Sequence, residues 1–336
     1  MARIHFLNVD EGDCSIIQHE NGDITMIDIC CGNLQTGEIE KAFSLESAKD
    51  GVKGIFNQKA HPTCPIEYLK KLGIKSIFRY IQTHPDMDHM DGLNRLADNF
   101  SVCNFWDTDN SKPSPFDANG KFGRYKKEDW DRYLMFRKSE SDPKALFYYD
   151  GSSTKYFAED DNGIKKDDYL KILSPTHELI KAANENKDWN DSSYVILYSI
   201  HGFKILFCGD ADTDTLFHLT TNHADDIKNL DVLIAPHHGR DSDKDFDFLD
   251  VMKPRLSLLG NAKSKFMAYR EWNNRKLDHI MNNQAGDILI DFSEGSFLVS
   301  VSNKTFADNY CQKHWNSTAS ANSSLAGYWN IVKYNK

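Results

Sequence analysis

The sequence predicts a layered α/β fold, and three observations carry that expectation. Short apolar strands come in bursts, helical segments lie between the bursts, and several strands end in histidines and aspartates. The chain has 336 residues and is 40% hydrophobic, enough for a sizeable core in one large domain or two small ones.

Taken in order, residues 3–9 and 14–18 read as strands around a turn at Asp10-Glu11-Gly12-Asp13. The turn Asn21-Gly22-Asp23 then favours a hairpin into a third strand at 24–29. Pro65 to Leu72 reads as a short helix stopped by Gly73. Residues 74–82 alternate loosely, as in a half-buried strand, and Asp91 to Asn99 reads as a helix with Leu93 and Leu96 on one face. Residues 100–170 are rich in Asp, Lys, Ser and aromatics with weak periodicity, and are expected to be an insertion or elaborated loop region. Strands resume at 169–173 and 194–200, turn at His201-Gly202 into 204–208, and return at 232–235, 287–290 and 296–301. The expected organisation is one domain over 1–301, with the insertion at about 100–170, and a polar, aromatic C-terminal extension over 302–336 with no assignable role.

Composition removes some function classes. A formal net charge of −10 argues against coating nucleic acid by bulk charge, although a local basic groove remains compatible with it. The seven cysteines form no CxxC pair, which disfavours a zinc ribbon and fits buried, reduced thiols. No GxGxxG or Walker loop supports nucleotide chemistry. The N-terminus starts as a strand and not as an apolar leader, and no run approaches a membrane span, so a cytoplasmic protein with no membrane partner is expected.

The chemistry concentrates after the strand at 74–82. His84, Asp86, Asp88 and His89 fall within six residues, so a tight Pro-containing turn can fold them around one point. Imidazoles and hard carboxylates converging there describe a metal site, expected to hold two ions. Three later segments fit it. Gly209-Asp210 follows the strand 204–208 and sets a carboxylate beyond the sheet edge, where it could bridge two metals. Pro236-His237-His238-Gly239 follows the strand 232–235 and reads as a ligand plus a neighbour. Asn190-Asp191-Ser192-Ser193 precedes the strand 194–200, and Asn190, Ser192 and Ser193 are expected to give polar substrate contacts at the same rim. Each motif alone is a common turn; their joint occurrence favours the metal reading.

These residues give the chain a resemblance to the metallo-β-lactamase superfamily, and within it to the hydrolase domain of the ComEC-type competence proteins. The opening Ile4-His5-Phe6-Leu7-Asn8-Val9-Asp10-Glu11-Gly12-Asp13, the metal motif His84-Pro85-Asp86-Met87-Asp88-His89, the Asn190-Asp191-Ser192-Ser193-Tyr194-Val195 segment with Phe207-Cys208-Gly209-Asp210, and Pro236-His237-His238-Gly239 carry it. The likeness covers roughly residues 1–301 outside the 100–170 insertion. There are departures. Asn190 and its neighbours stand where the superfamily usually has a metal-binding His, so one metal site is expected to be weakly held. Asp10-Glu11 stands where a Gly-Gln pair is more usual, and no late Gly-His-Pro is found around Tyr269-Arg270-Glu271. The chain lacks the membrane segments of the competence proteins, so DNA import is not implied.

The resemblance implies an αββα sandwich with the site at the sheet edges. In that reading His84 and Asp86 hold one metal. Asp88, His89 and one of His237 and His238, with His238 favoured, hold the other, and Asp210 bridges. Asp88 and His237 are the expected catalytic residues: Asp88 orients the water that the metals acidify, and His237 contacts substrate or protonates the leaving oxygen. Asp86 in place of a His hardens the site and favours Mn²⁺ or Mg²⁺ over a His-rich zinc site, with zinc still compatible. The expected function is a phosphodiesterase, foremost a nuclease, with nucleic acid or a small phosphoester as its partner. Some support lies in Lys121, Arg124, Lys126, Lys127, Arg132, Arg137 and Lys138, which interleave with Phe122, Tyr125, Trp130, Tyr133 and Phe136 as a single-strand-binding surface would. The alternatives are a hydrolase of a small ester, thioester or phosphorylated metabolite, and a non-catalytic binding protein that keeps the fold. Oligomeric state is not legible.

Overall fold

The computed structural model describes residues 1–34, 56–164, 166–242 and 245–336. In chain order the strands are β1 (Arg3–Phe6), β2 (Ser15–Gln18), β3 (Ile24–Ile27), β4 (Ser76–Ile81), β5 (Ser101–Trp106), β6 (Lys144–Leu146), β7 (Tyr169–Ser174) and β8 (Val195–Ile200), followed by β9 (Phe203–Phe207), β10 (Val232–Ile234), β11 (Leu256–Leu259), β12 (His279–Met281), β13 (Ile288–Ser293), β14 (Ser296–Val301), β15 (Ser320–Ala321) and β16 (Trp329–Asn335). They form a ten-stranded sheet ordered β15-β16-β14-β13-β1-β2-β3-β4-β5-β6 and a six-stranded sheet ordered β12-β11-β10-β9-β8-β7.

Tight turns join the antiparallel pairs. His201 and Gly202, between β8 and β9, take φ 50° and 73°, the left-handed pair that a two-residue hairpin needs. Strands β3 to β6 run parallel, as do β9 to β12. Parallel neighbours need crossovers. In the large sheet the helices Pro65–Lys71, Leu93–Asn99 and Lys127–Phe136 lie in these crossovers, and in the small sheet Thr213–Asn222, Phe248–Met252 and Tyr269–Asn274 do.

Three apolar layers result. The first lies between the sheets, where Ile4, Phe6 and Ile290 face Ile196, Phe203, Ile205 and Phe207. The second packs Leu69, Leu93, Leu96, Trp130 and Tyr133 on the outer face of the large sheet. The third packs Leu216, Leu219, Leu249, Met252 and Trp272 on the outer face of the small one. The order is therefore helix, sheet, sheet, helix: the expected αββα sandwich. It explains the continuous apolar runs. In β10, Val232 and Ile234 enter the middle layer while Leu233 enters the outer one, so both faces must be apolar.

Two segments differ from expectation. Residues 100–170 are not all loop: β5 pairs with β4 and β6 with β5. The alternation in β5 is hidden because Ser101 and Cys103 are exposed on one side while Val102 is buried on the other. Beyond residue 302, the helix Lys304–Trp315 buries Ala307 and Cys311 in the middle layer, and β16 pairs with β14. Among the described residues no helix is long and apolar enough to cross a membrane.

Candidate metal centre

Ligand-bearing segments from both sheets meet at one seam. β4 ends at Ile81, and Thr83 is then fixed twice by Asp28, to which its N–H donates at 2.8 Å and its hydroxyl at 2.6 Å. A single 3-10 turn, Met87–His89, presents Asp88 and His89. From the small sheet, Gly209 takes φ 52° after β9, and a Cβ there would fall 2.9 Å from the Thr83 Cβ, so only glycine brings Asp210 this close to the loop. His237 and His238 follow β10 with φ 51° and 57°. The His237 N–H donates to the Gly209 carbonyl and the Tyr194 N–H to that of Thr83, both at 2.9 Å, which ties the segments together. Gly12 serves a similar end. A Cβ there would lie 2.2 Å from the Asp88 carbonyl oxygen, so the opening turn packs directly on the loop. Left-handed backbone at Asp28, His237 and His238 is strain gathered at one place.

Hydrogen bonds set the same orientation on three imidazoles. His89 Nδ1 donates to Asp28 Oδ2 at 2.7 Å and His238 Nδ1 to Asp13 Oδ1 at 3.2 Å. His84 Nδ1 lies 3.0 Å from the Thr83 hydroxyl, which already donates to Asp28 and so accepts here. Each Nε2 therefore points inward. His89 Nε2 and His238 Nε2 stand 3.2 and 3.4 Å from Asp210 Oδ1, and His84 Nε2 stands 3.8 Å from Asp210 Oδ2. These three nitrogens and Asp210 Oδ1 are buried without a hydrogen-bond partner. Leaving such atoms unpaired costs about 1–3 kcal/mol each, a cost that bound divalent metal would relieve. The residues fit a metal ion. Ligand atoms of His84, His89 and Asp210, of Asp88, His89 and His238, and of Asp13, Asp210 and His238 group within 4.8 Å.

The electrostatics agree. Burial, helped by His89, pushes His84 down to about 3, so it is a neutral donor at pH 7. Burial alone would lower His238, but Asp210 and Asp13 outweigh it and push it up to about 10. Burial likewise opposes protonation of His89, and Asp210 and Asp28 overcome it and hold it well above the usual range. Burial would raise Asp210, yet His238, His89 and His237 keep it well below the carboxylate range. Protons on imidazoles thus balance the carboxylates where a cation would, and metal uptake would release them.

Of the expected ligands, His84, Asp88, His89, Asp210 and His238 come together. Asp86 joins none of these groups; its carboxylate pairs with Lys112. His237 lies beside them, with Nε2 3.5 Å from Asp210 Oδ2 and Nδ1 3.1 Å from the Ser242 hydroxyl. Ser192 and Ser193, expected to contact substrate, do not face the surface. Both are fully buried, because the 3-10 turn Asn190–Ser192 folds the Ser192 hydroxyl back onto the Trp189 carbonyl. Asn190 stays partly exposed. Asp191 accepts from the N–H groups of Asp214 and Thr215 at the start of a helix. In the basic and aromatic stretch, Trp130, Tyr133 and Phe136 are core residues, and Arg124, Arg132 and Arg137 pair with Asp10, Asp98 and Asp107.

Asp13, Asp28 and Lys112 were not foreseen as site residues. Asp28 had a signal, an acid inside the apolar run Ile24–Ile29. Lys112 had none, because its partner is distant in sequence.

No family model matches the chain, and no curated protein matches it in sequence. Similar solved structures include a CmlA beta-hydroxylase mutant, 11% identical with a TM-score of 0.48 over 87% of this chain and 54% of that one. A diphosphatase of the PhnP family is 11% identical with a TM-score of 0.44 over 87% of this chain and 98% of that one. A metallo-beta-lactamase superfamily protein from Thermotoga maritima is 10% identical with a TM-score of 0.35 over 82% and 86%. The chain thus spans about half the length of the first of these.

Proposed function

We propose that the chain is a metal-dependent hydrolase of the metallo-β-lactamase type acting on phosphodiesters. The observation that carries this reading is the set of four unpaired buried atoms, His84 Nε2, His89 Nε2, His238 Nε2 and Asp210 Oδ1. When bound, a divalent ion supplies Lewis acidity and brings the pKa of a water toward neutrality. His84, His89, Asp210 and His238 hold the ion, while Asp28, Asp13 and Thr83 fix the ligand orientation. Asp88, in the same group as His89 and His238, accepts a proton from the attacking water. His237, partly exposed beside Asp210, donates a proton to the leaving oxygen. Lys112, paired with Asp86 and close enough to His84 to bias its protonation, sets a cation beside the site.

The test is hydrolysis of single- and double-stranded DNA and RNA and of small phosphodiesters, by stripped protein reloaded with Mn²⁺, Mg²⁺ or Zn²⁺. Metal-dependent cleavage that Asp88→Ala and Asp210→Ala abolish is expected. Metal binding without cleavage of any phosphodiester would reject the substrate class and turn the search to small esters and thioesters.

A further inference from the structure

We propose that Lys112 takes the place of a second metal ion, so that this chain holds one divalent ion where two would be expected. The inference rests on the metal-centre reading above and concerns how many ions that centre takes.

His84, His89 and His238 each turn Nε2 toward the Asp210 carboxylate, whereas Asp86 is engaged elsewhere, by the Lys112 ammonium. That ammonium is not a loose surface group. Its side chain is only 16% exposed and its nitrogen sits 5.0 Å from the centre of the Trp189 ring. The Lys112 backbone N–H donates to the Asn110 side-chain oxygen at 3.1 Å, and the Asn110 amide donates to the Tyr133 hydroxyl at 2.8 Å. A cation held by a carboxylate, a ring face and an anchored backbone has little freedom to leave.

The neighbouring turn, residues 189–193, offers a second ion no histidine. Trp189 gives its ring to Lys112, and Ser192 and Ser193 are buried behind it. A second ion at Asp86 would have to displace the ammonium from its carboxylate. It would gain no imidazole from residues 189–193. An ammonium balances the Asp86 charge without coordination, so this carboxylate is satisfied with no further ligand demand.

The experiment counts ions. Full-length, chelator-stripped protein is titrated with Mn²⁺ and, separately, Zn²⁺, and metal per chain is measured after gel filtration. Wild type is expected to saturate at one ion and Lys112→Met to gain a second. The Mn²⁺ spin-resonance spectrum gives a readout that needs no variant: wild type should show an isolated ion and no exchange-coupled pair. Two ions in wild type, a coupled pair, or a Lys112→Met variant that still takes one ion would each overturn the inference. Should Lys112→Met not fold, Lys112→Gln serves in its place. No ion in any form would reject the metal centre itself, a result distinct from a count of two.

Discussion

Replacing Asp28 with Asn tests whether this buried acid sets the metal-binding face of His89. Its Oδ1 accepts the Thr83 N–H at 2.8 Å, and its Oδ2 accepts the Thr83 hydroxyl at 2.6 Å and His89 Nδ1 at 2.7 Å. An asparagine that keeps its oxygen on the Thr83 N–H turns an amide NH₂ toward His89. Nδ1 must then accept, the proton moves to Nε2, and the nitrogen facing Asp210 can no longer bind a cation. The flipped amide sets NH₂ against the Thr83 N–H, two donors face to face. Loss of such an outer partner costs about 10- to 100-fold in metal affinity, or about 1.4–2.7 kcal/mol. Competition with a coloured chelator, with circular dichroism as a check on folding, measures it. A folded Asp28→Asn protein that binds metal within threefold of wild type would refute the claim that Asp28 fixes this imidazole.

Four further outcomes are expected. Burial holds His5 down at about 4, with Tyr68 and Gln18 on its ring nitrogens. The unfolded chain therefore binds a proton that the folded one refuses. Stability is full above about pH 6.5 and falls by up to about 3 kcal/mol as pH drops toward 4, and His5→Gln should flatten that part of a pH series of urea midpoints. Gly209→Ala should cost about 1–3 kcal/mol and weaken metal binding, because its Cβ would meet Thr83 at 2.9 Å with φ at 52°; an unchanged thermal midpoint would contradict this. Phe203, buried between the sheets against Phe292 and Phe297, should cost about 3–5 kcal/mol as Ala in denaturant unfolding. Because protons on His89 and His238 balance the carboxylates, metal affinity should fall as pH is lowered and metal uptake should release protons, both readable by calorimetry in buffers of differing ionisation enthalpy.

The parts of the fold legible in the sequence are those with a local cause. Strands such as β8 and β9 announce themselves because both faces are buried, which leaves an unbroken apolar run. The candidate site segments at 84–89, 210 and 237–238 are legible because each follows a strand end. β5 escapes because Ser101 and Cys103 face water, and β11 and β12 are only four and three residues long. The basic and aromatic stretch misleads because Trp130, Tyr133 and Phe136 recur at a spacing of three, which is as much a buried helix face as a stacking surface. Pairings such as Lys112 with Asp86, or Asp13 with His238, depend on chain packing and have no local signature.

The seam between the sheets has a mechanical consequence. His84 and His89 hang from the large sheet, and Asp210 and His238 from the small one. An ion shared by them would act as a cross-link that closes a very long stretch of chain, much as a disulfide restricts an unfolded ensemble. Neither sheet alone carries a competent site, so capture of the ion must await the docking of the two halves. Parting of the two sheets would in turn break the site, so bound metal would raise the resistance of the sandwich to opening along this seam.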